Sequence, residues 1–230
     1  MNRLIQTVLL TLALPLMAAE DDPLLFMASA DHFERAFGDD ETATHFESTA
    51  WLGYDHHKLY LKSELDREAG ETHESEHQLL YSRAISPFWD LQMGVRKDFQ
   101  PSPRQEWAVI GLQGLAPGFV QTEAALFVQD NGDYAARLTG EYELLLSQRL
   151  ELAPELQLNF YGQQNPTLAQ GAGLSDAALS LRLKYQIRRK IVPYIGVSWE
   201  ALTGETADIA QAAGDETTHT KWLLGIHAWF

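Results

Sequence analysis

The feature that most constrains this chain is an alternation of polar and apolar residues that recurs from about residue 24 to residue 230. It is clearest in residues 149–161, where leucines alternate with charged and amide side chains, and it is repeated in residues 177–188 and 219–230. Successive side chains of a β-strand point to opposite faces of the sheet. A period of two therefore predicts strands that each have one apolar and one polar face.

Twelve segments carry this alternation, although residues 104–115 fit either phase. We predict strands at residues 24–36, 42–54, 57–67, 74–84, 88–99, 104–115, 118–130, 133–145, 148–161, 174–187, 190–202 and 217–230. Most connections are hairpin-sized, and Asn131-Gly132 is a typical two-residue hairpin turn. Only residues 162–173 and 203–216 form longer connections, and no segment has the helical period that parallel crossovers need. The predicted architecture is an all-β, antiparallel, up-and-down meander.

Alternation alone leaves open whether the apolar face is buried, as in a soluble barrel or sandwich, or exposed to lipid. An even strand number, with both long connections at the same end, is typical of outer-membrane barrels. Aromatic residues of the apolar face, Phe127 and Trp222 among them, lie near predicted strand ends, as in aromatic girdles. Basic side chains turned toward lipid near the midplane would cost roughly 2–4 kcal/mol each. We therefore predict a transmembrane β-barrel of 12 strands with a polar lumen.

The N-terminal segment has the pattern of a signal peptide. Arg3 precedes an apolar run from Leu4 to Met17, and Ala18-Ala19 provides small residues for cleavage. We expect residues 1–19 to be removed and residues 20–230 to form a barrel in contact with the lipid of a Gram-negative outer membrane.

Composition excludes several classes of function. The chain has 32 Asp+Glu against 17 Lys+Arg, for a net charge of −15, which argues against nucleic acid as a partner. It contains no cysteine, which excludes thiolate metal sites and cysteine nucleophiles.

A series of sequence blocks carries a more specific signal. The blocks are Trp51–Asp55, Leu59–Glu64, Leu80–Asp90, Gly111–Gly118, Glu141–Leu150, Arg182–Tyr185, Gly204–Asp208 and Trp229–Phe230. In order and spacing they resemble the copper resistance protein B family. The resemblance implies an outer-membrane β-barrel that serves copper resistance, with copper ions bound or transported and a periplasmic multicopper oxidase as a partner.

Many members of that family carry a segment rich in methionine and histidine before the barrel. Here Asp21-Asp22-Pro23 separates the predicted signal peptide from the first strand. Met27 and Met93 are the only methionines in residues 20–230, and both fall on the predicted lipid face. A thioether relay for Cu(I) is therefore not expected, and a copper site would use imidazole and carboxylate ligands.

Hairpin geometry predicts which polar side chains meet in the lumen. A first turn centred between Asp39 and Asp40 pairs residues whose numbers sum to 79, and a second turn between Asp55 and His56 gives a sum of 111. These sums place His32 opposite Glu47, Glu47 opposite Glu64, and Met27 opposite Leu52. Barrel closure brings the last strand, with His219, beside the first. The candidate metal ligands are His32, Glu34, His45, Glu47, Glu64 and His219.

The same residues fit a hydrogen-bonded network that lines a barrel, since polar interiors are the rule. Other histidines give weaker signals: His73 and His77 near an outward loop, His56-His57 at a periplasmic turn, and His227 in the lumen near the periplasmic end. The chain carries neither a Gly-x-Ser-x-Gly elbow nor a His-Glu-x-x-His motif, so we do not expect an enzyme.

Two functions remain open at this stage. The barrel either binds copper and passes it across the membrane, or it is a structural or docking barrel that supports a periplasmic copper-detoxifying partner. The sequence fixes neither the oxidation state of the copper nor its direction of movement. It also leaves open whether inward side chains such as Arg137 and Arg182 fill the lumen.

Overall fold

A computed structural model describes residues 22–38 and 42–230 of the chain; the predicted signal peptide, residues 1–19, lies outside the described residues. The strands are β1 Leu25–Phe37, β2 Thr42–Gly53, β3 His57–Glu68, β4 Glu71–Ser86, β5 Trp89–Gln100, β6 Gln105–Ala116, β7 Val120–Val128, β8 Tyr134–Tyr142, β9 Leu144–Leu145, β10 Leu150–Tyr161, β11 Gly173–Tyr185, β12 Ile191–Leu202 and β13 Thr218–Trp229. The two-residue β9 follows β8 after Glu143 and pairs with β10, as β8 does. The strands therefore occupy 12 positions around one sheet.

The sheet closes on itself. Every neighbouring pair is antiparallel, and β13 pairs with β1, for example Trp222 with Phe37. The backbone of Phe230 extends this closure, because its N–H donates to the carbonyl of Ala28 at 2.8 Å. Closure leaves no unpaired sheet edge, which a membrane-spanning sheet requires. Within the described ranges, no helix is long and apolar enough to cross a membrane.

The barrel has the reverse of the burial pattern of a soluble protein. Phe33 and Trp222 face outward and are 54% and 69% exposed, whereas inward Glu76 is 2% exposed. Side chains alternate between these environments along each strand, so the apolar residues form the outer surface and the charged residues line the interior. This arrangement confirms the prediction of a transmembrane barrel with 12 strands and a polar lumen.

The long connections lie at one end of the barrel, which we call the outer end; the short turns lie at the other, the periplasmic end. They span residues 162–172 and 203–217. The second was predicted as a longer connection at residues 203–216 with no helix, but it contains the helix α1, Gly204–Ala213. Gly214, in the left-handed conformation, caps the C-terminus of helix α1. The Thr206 hydroxyl of the helix accepts from the backbone N–H of Gly171 at 2.9 Å. The two outer connections are thus tied together.

A β-bulge in β1 changes one predicted register. His32 pairs with Glu47 as predicted, but Ala30 pairs with Ser48, which leaves Asp31 as the extra residue. Below the bulge Met27 lies opposite Trp51 rather than Leu52. The predicted lipid-facing position of Met27 is therefore wrong: it lines the lumen, because one extra residue reverses the faces of the strand.

Phe127 was also predicted on the lipid face and instead points inward, where it is 2% exposed. Its ring packs edge-on against Trp107 of β6, with ring centroids 6.4 Å apart. Together with Tyr60 and Leu80 these aromatics form an apolar cluster on one side of the interior. The lumen is therefore lined partly by apolar packing and partly by charged groups.

Candidate metal centre in the barrel lumen

Two cavities occupy the lumen. The outer cavity has a volume of about 580 Å³ and the inner cavity, toward the periplasmic end, about 810 Å³. All of the predicted ligands line the outer cavity: His32, Glu34, His45, Glu47, Glu64 and His219. The two cavities share several lining residues: His32, Glu47, Glu64, Arg137, Glu155 and Gln157. These shared residues mark the boundary between the cavities.

Two histidines at this level are oriented by carboxylates on the adjacent strands. The Nδ1 atom of His32 lies 2.9 Å from Oε2 of Glu47, and Nδ1 of His45 lies 2.7 Å from Oδ1 of Asp66. Within the described part of the chain, Nε2 of neither ring takes part in a hydrogen bond. A carboxylate that holds one ring nitrogen while the other stays available is the usual arrangement of metal-binding histidines.

The side chains of neighbouring strands converge into three overlapping groups, of which two contain histidine and the third consists of Glu64, Glu74 and Glu76. Donor atoms of His32, His45 and Glu47 lie within 4.8 Å of one another, and so do those of His45, Glu64 and Asp66. We refer to these five residues as the histidine–carboxylate cluster. Two imidazoles with three carboxylates form a nitrogen and oxygen donor set that suits Cu(II) and other borderline divalent cations.

Two of the predicted ligands stand apart from this cluster. Glu34 accepts hydrogen bonds from Nε and Nη2 of Arg182, both at 3.2 Å, and from the Tyr194 hydroxyl at 2.9 Å, so its oxygens are already engaged. His219 lies opposite Glu200 near the outer end of β13, beyond the end of β1. His32 is level with His227 on β13, so His219 lies about 26 Å farther along that strand, at roughly 3.3 Å per residue.

Asp66 is the one cluster member that was not predicted as a ligand. It lies directly opposite His45, where the residue numbers sum to 111. The same sum was used to pair Glu47 with Glu64, so the signal was present in the sequence. The predicted pairing placed His45 opposite Glu34 on β1 alone, whereas His45 lies between β1 and β3 and also faces Asp66.

The remaining histidines occupy different environments. His73 lines the outer cavity, whereas His77 points outward between the hydroxyls of Ser63 and Ser75. His57 stacks on Tyr81 at the periplasmic end. In the inner cavity, Nδ1 of His227 lies 3.2 Å from the backbone oxygen of Asp31, the residue of the bulge.

Arginine side chains cross the interior next to the cluster. Arg137 of β8 donates to both carboxylate oxygens of Glu76 on β4, at 2.9 and 3.1 Å, and lies 3.6 Å from Glu64 on β3. Arg182 of β11 donates to Glu34 on β1 and to Glu155 on β10. These bidentate ion pairs are strong and geometrically specific.

Comparison with known proteins gives consistent matches over most of the chain. A family model described as copper resistance protein B precursor (CopB) matches residues 24–230. Copper resistance protein B of Escherichia coli is 41% identical over 213 residues, which cover 93% of this chain and 72% of that protein. A copper resistance protein B homolog of Pseudomonas syringae pv. tomato is 40% identical over 201 residues, which cover 87% of this chain and 68% of that protein.

Solved structures with the same fold are outer-membrane porins. The NanC porin superposes with a TM-score of 0.58 at 12% identity, covering 86% of this chain and 98% of that chain. The KdgM porin has a TM-score of 0.52 at 10% identity, covering 90% of this chain and 99% of that chain. At these identities the likeness shows the barrel fold alone.

Proposed function

Because this chain belongs to the copper resistance protein B family and has the fold of an outer-membrane barrel, we propose that it binds copper ions in its lumen and passes them across the outer membrane. The observation that carries the proposal is the convergence of five ligand side chains, His32, His45, Glu47, Glu64 and Asp66, in the outer cavity. Three of them, His32, Glu47 and Glu64, also line the inner cavity. An ion held there can be approached from either end of the barrel.

The chemistry of the cluster supports Cu(II) as its ligand. Imidazole and carboxylate donors suit this ion, and each histidine needs only its free Nε2 to ligate. Three carboxylates also give the cluster negative charge when ionised, which attracts cations and repels anions. Copper is written here as the cargo of the barrel rather than as a resident cofactor.

The residues below the cluster suggest a continuation toward the periplasm. His32 and Glu47 line both cavities, and the inner cavity is lined by Met27 and His227. The imidazole ligates copper in either oxidation state, so Cu(II) can move on to His227 without a change of oxidation state, and the thioether of Met27 would serve only an ion that enters as Cu(I). Passage would then proceed from the outer cavity to the cluster and on to these inner groups.

Calorimetric titration of the purified barrel with Cu(II) tests binding. We expect the H32A/H45A double variant to lose affinity by roughly 100-fold or more, because losing a group that merely orients a metal ligand typically costs about 10–100-fold. The matched control is H77A, since His77 points away from the lumen. Equal affinity of wild type and H32A/H45A would remove the cluster as the binding site.

Liposome flux separates passage from the second candidate function. In that alternative the barrel is a structural or docking element that supports a periplasmic copper-detoxifying partner, such as a multicopper oxidase, and has no channel of its own. Copper entry into liposomes that contain the barrel would favour passage. A barrel that binds copper but leaves the liposomes sealed would favour docking.

Export and processing complete the proposal. We infer that residues 1–19 are removed and that residues 20–230 form the mature barrel. N-terminal sequencing of the protein from outer membranes should then begin at Glu20. The matched family is described by copper resistance rather than by a reaction, and no catalytic role is proposed.

A further inference from the structure

We propose that Arg137 and Arg182 close the lumen to small ions, and that Glu64, shared between Arg137 and the histidine–carboxylate cluster, lets a bound dication loosen this closure. The inference rests on the proposed function for its second half, the opening by a dication. The first half, closure by the two arginines, stands on the geometry of the barrel alone.

Arg137 makes a bridge across the interior rather than along the wall. It stands on β8, and its partner Glu76 stands on β4, with three strands between them around the barrel. Asn159 fixes the guanidinium from the other side by accepting from its Nε at 2.9 Å. Arg96 holds Glu76 from the adjacent strand at 2.8 Å. The bridge is therefore oriented at both of its ends.

Arg182 makes the second bridge. From β11 it reaches over β12 and β13 to Glu34 on β1, and in the other direction it contacts Glu155 on β10. Tyr194 of β12 donates to the same Glu34 carboxylate at 2.9 Å. The guanidinium is buried, and its side chain is 7% exposed.

These bridges lie where the lumen is divided. Arg137 and Glu155 line both cavities, so one member of each bridge belongs to the boundary. A barrel of 12 strands lies between small barrels filled by side chains and porins of 16 or more strands with an aqueous channel. Side chains that cross such an interior can therefore decide whether it conducts.

Glu64 connects the bridge to the cation site. Its donor atom groups with those of His45 and Asp66, and its Oε2 lies 3.6 Å from Nη1 of Arg137. That contact is longer than the 2.9 Å contact between Arg137 and Glu76. A dication bound to Glu64 would compete with Arg137 for this carboxylate and would repel the guanidinium at close range. Cation binding therefore acts against the Arg137 bridge.

Conductance in planar bilayers tests the closure. Wild type in potassium chloride should show no conductance steps, and the R137Q/E76Q variant, which removes both partners of one bridge, should gain them. The control is K184Q/E141Q, because this pair joins β11 and β8 across β10 alone and lines the inner cavity. Replacing both partners limits the unpaired buried charge, and Arg96, which also binds Glu76, keeps its ion pair with Asp98. R182Q/E34Q provides an independent variant for the second bridge.

Folding of each variant is checked by heat-modifiable migration on detergent gels. Folded R137Q/E76Q and R182Q/E34Q barrels that both stay closed would overturn the proposal, as would steady conductance by wild type. Opening by the control pair to the same extent would also overturn it, because the effect would then reflect charge removal in general.

Coupling is tested by adding Cu(II) to the same bilayers. Wild type should gain conductance steps, and E64Q should lose this response. If calorimetry shows copper binding without opening, the coupling is wrong while the binding proposal stands. If no copper binds, the proposed function fails, whereas a gain of conductance by R137Q/E76Q still supports the closure.

Discussion

At the scale of single residues, Gly225 shows how the lumenal charges are positioned. It lies on β13, directly between Tyr194 on β12 and Glu34 on β1. A Cβ at Gly225 would lie 2.5 Å from the Tyr194 hydroxyl and 2.7 Å from Cβ of Glu34. The missing side chain therefore lets the tyrosine cross β13 and donate to the carboxylate that Arg182 also binds.

Replacing Gly225 by alanine should accordingly separate Tyr194 from Glu34. We expect G225A to lower the free energy of unfolding by about 1–3 kcal/mol, the usual cost of overpacking. Denaturant unfolding in phospholipid vesicles measures the change. G140A is the matched control, since the nearest atom to an added Cβ there is 3.5 Å away. Equal stability of the two variants would mean that Tyr194 can move aside without cost.

At the scale of strands, the period-two pattern of the sequence predicted the strand bounds and the register of one hairpin. The strand bounds agree to within a few residues, and the sum of 111 across β2 and β3 is confirmed over the whole hairpin. The predicted pairing of β1 with β2, in which paired residue numbers sum to 79, holds only between His32 and Phe37. On the periplasmic side of His32, residues Ala28 to Asp31 have small or short side chains that either face of the strand accepts. The alternation therefore contains no sign of the bulge.

The inward orientation of Phe127 could not be predicted from the sequence, for a related reason. Residues 124–128 are all apolar, so no alternation fixes which of them point inward. The phase is decided by packing against Trp107, a contact between strands that no local pattern reports. Helix α1, by contrast, could have been predicted from the sequence. Its residues are rich in alanine and are followed by Gly214, which is the pattern of a helix with a glycine C-cap.

The bulge makes a testable prediction about β1. Because the chain has no cysteine, single cysteines can be introduced without background. In the folded barrel M27C should react with a charged, membrane-impermeant thiol reagent, and F26C should not, since Phe26 faces outward and Met27 lines the lumen. A regular strand without a bulge predicts the opposite result.

Two positions above the bulge serve as controls for this experiment. E34C should react and F33C should not, whether or not β1 has a bulge at Asp31. The pairing of Phe33 and Glu34 with β2 is the same with and without the bulge. Reaction of F26C but not M27C, with the controls behaving as expected, would contradict the bulge.

At the scale of the whole molecule, the acidic composition and the membrane location are consistent once the outer and inner faces of the barrel are considered separately. A net charge of −15 and the absence of long apolar runs are typical of a soluble protein. In the barrel the apolar residues occupy the outer face of every strand, where Leu224 is 56% exposed, and charged residues fill the interior. The order of the residues, not their proportions, therefore determines where the protein resides.

This arrangement predicts the cost of a charge on the outer face. Leu224 lies near the middle of β13, so L224R should lower the free energy of unfolding by about 2–4 kcal/mol in a lipid bilayer. On a soluble protein the same exposed substitution would change stability by roughly 0.5 kcal/mol or less. Urea unfolding in phospholipid vesicles measures the difference. T139R is the control, because Thr139 lines the inner cavity and its arginine would meet Glu141 and Glu123 rather than lipid. Equal stabilities of L224R and wild type would contradict a lipid-facing outer surface, since water would then solvate the guanidinium at no cost.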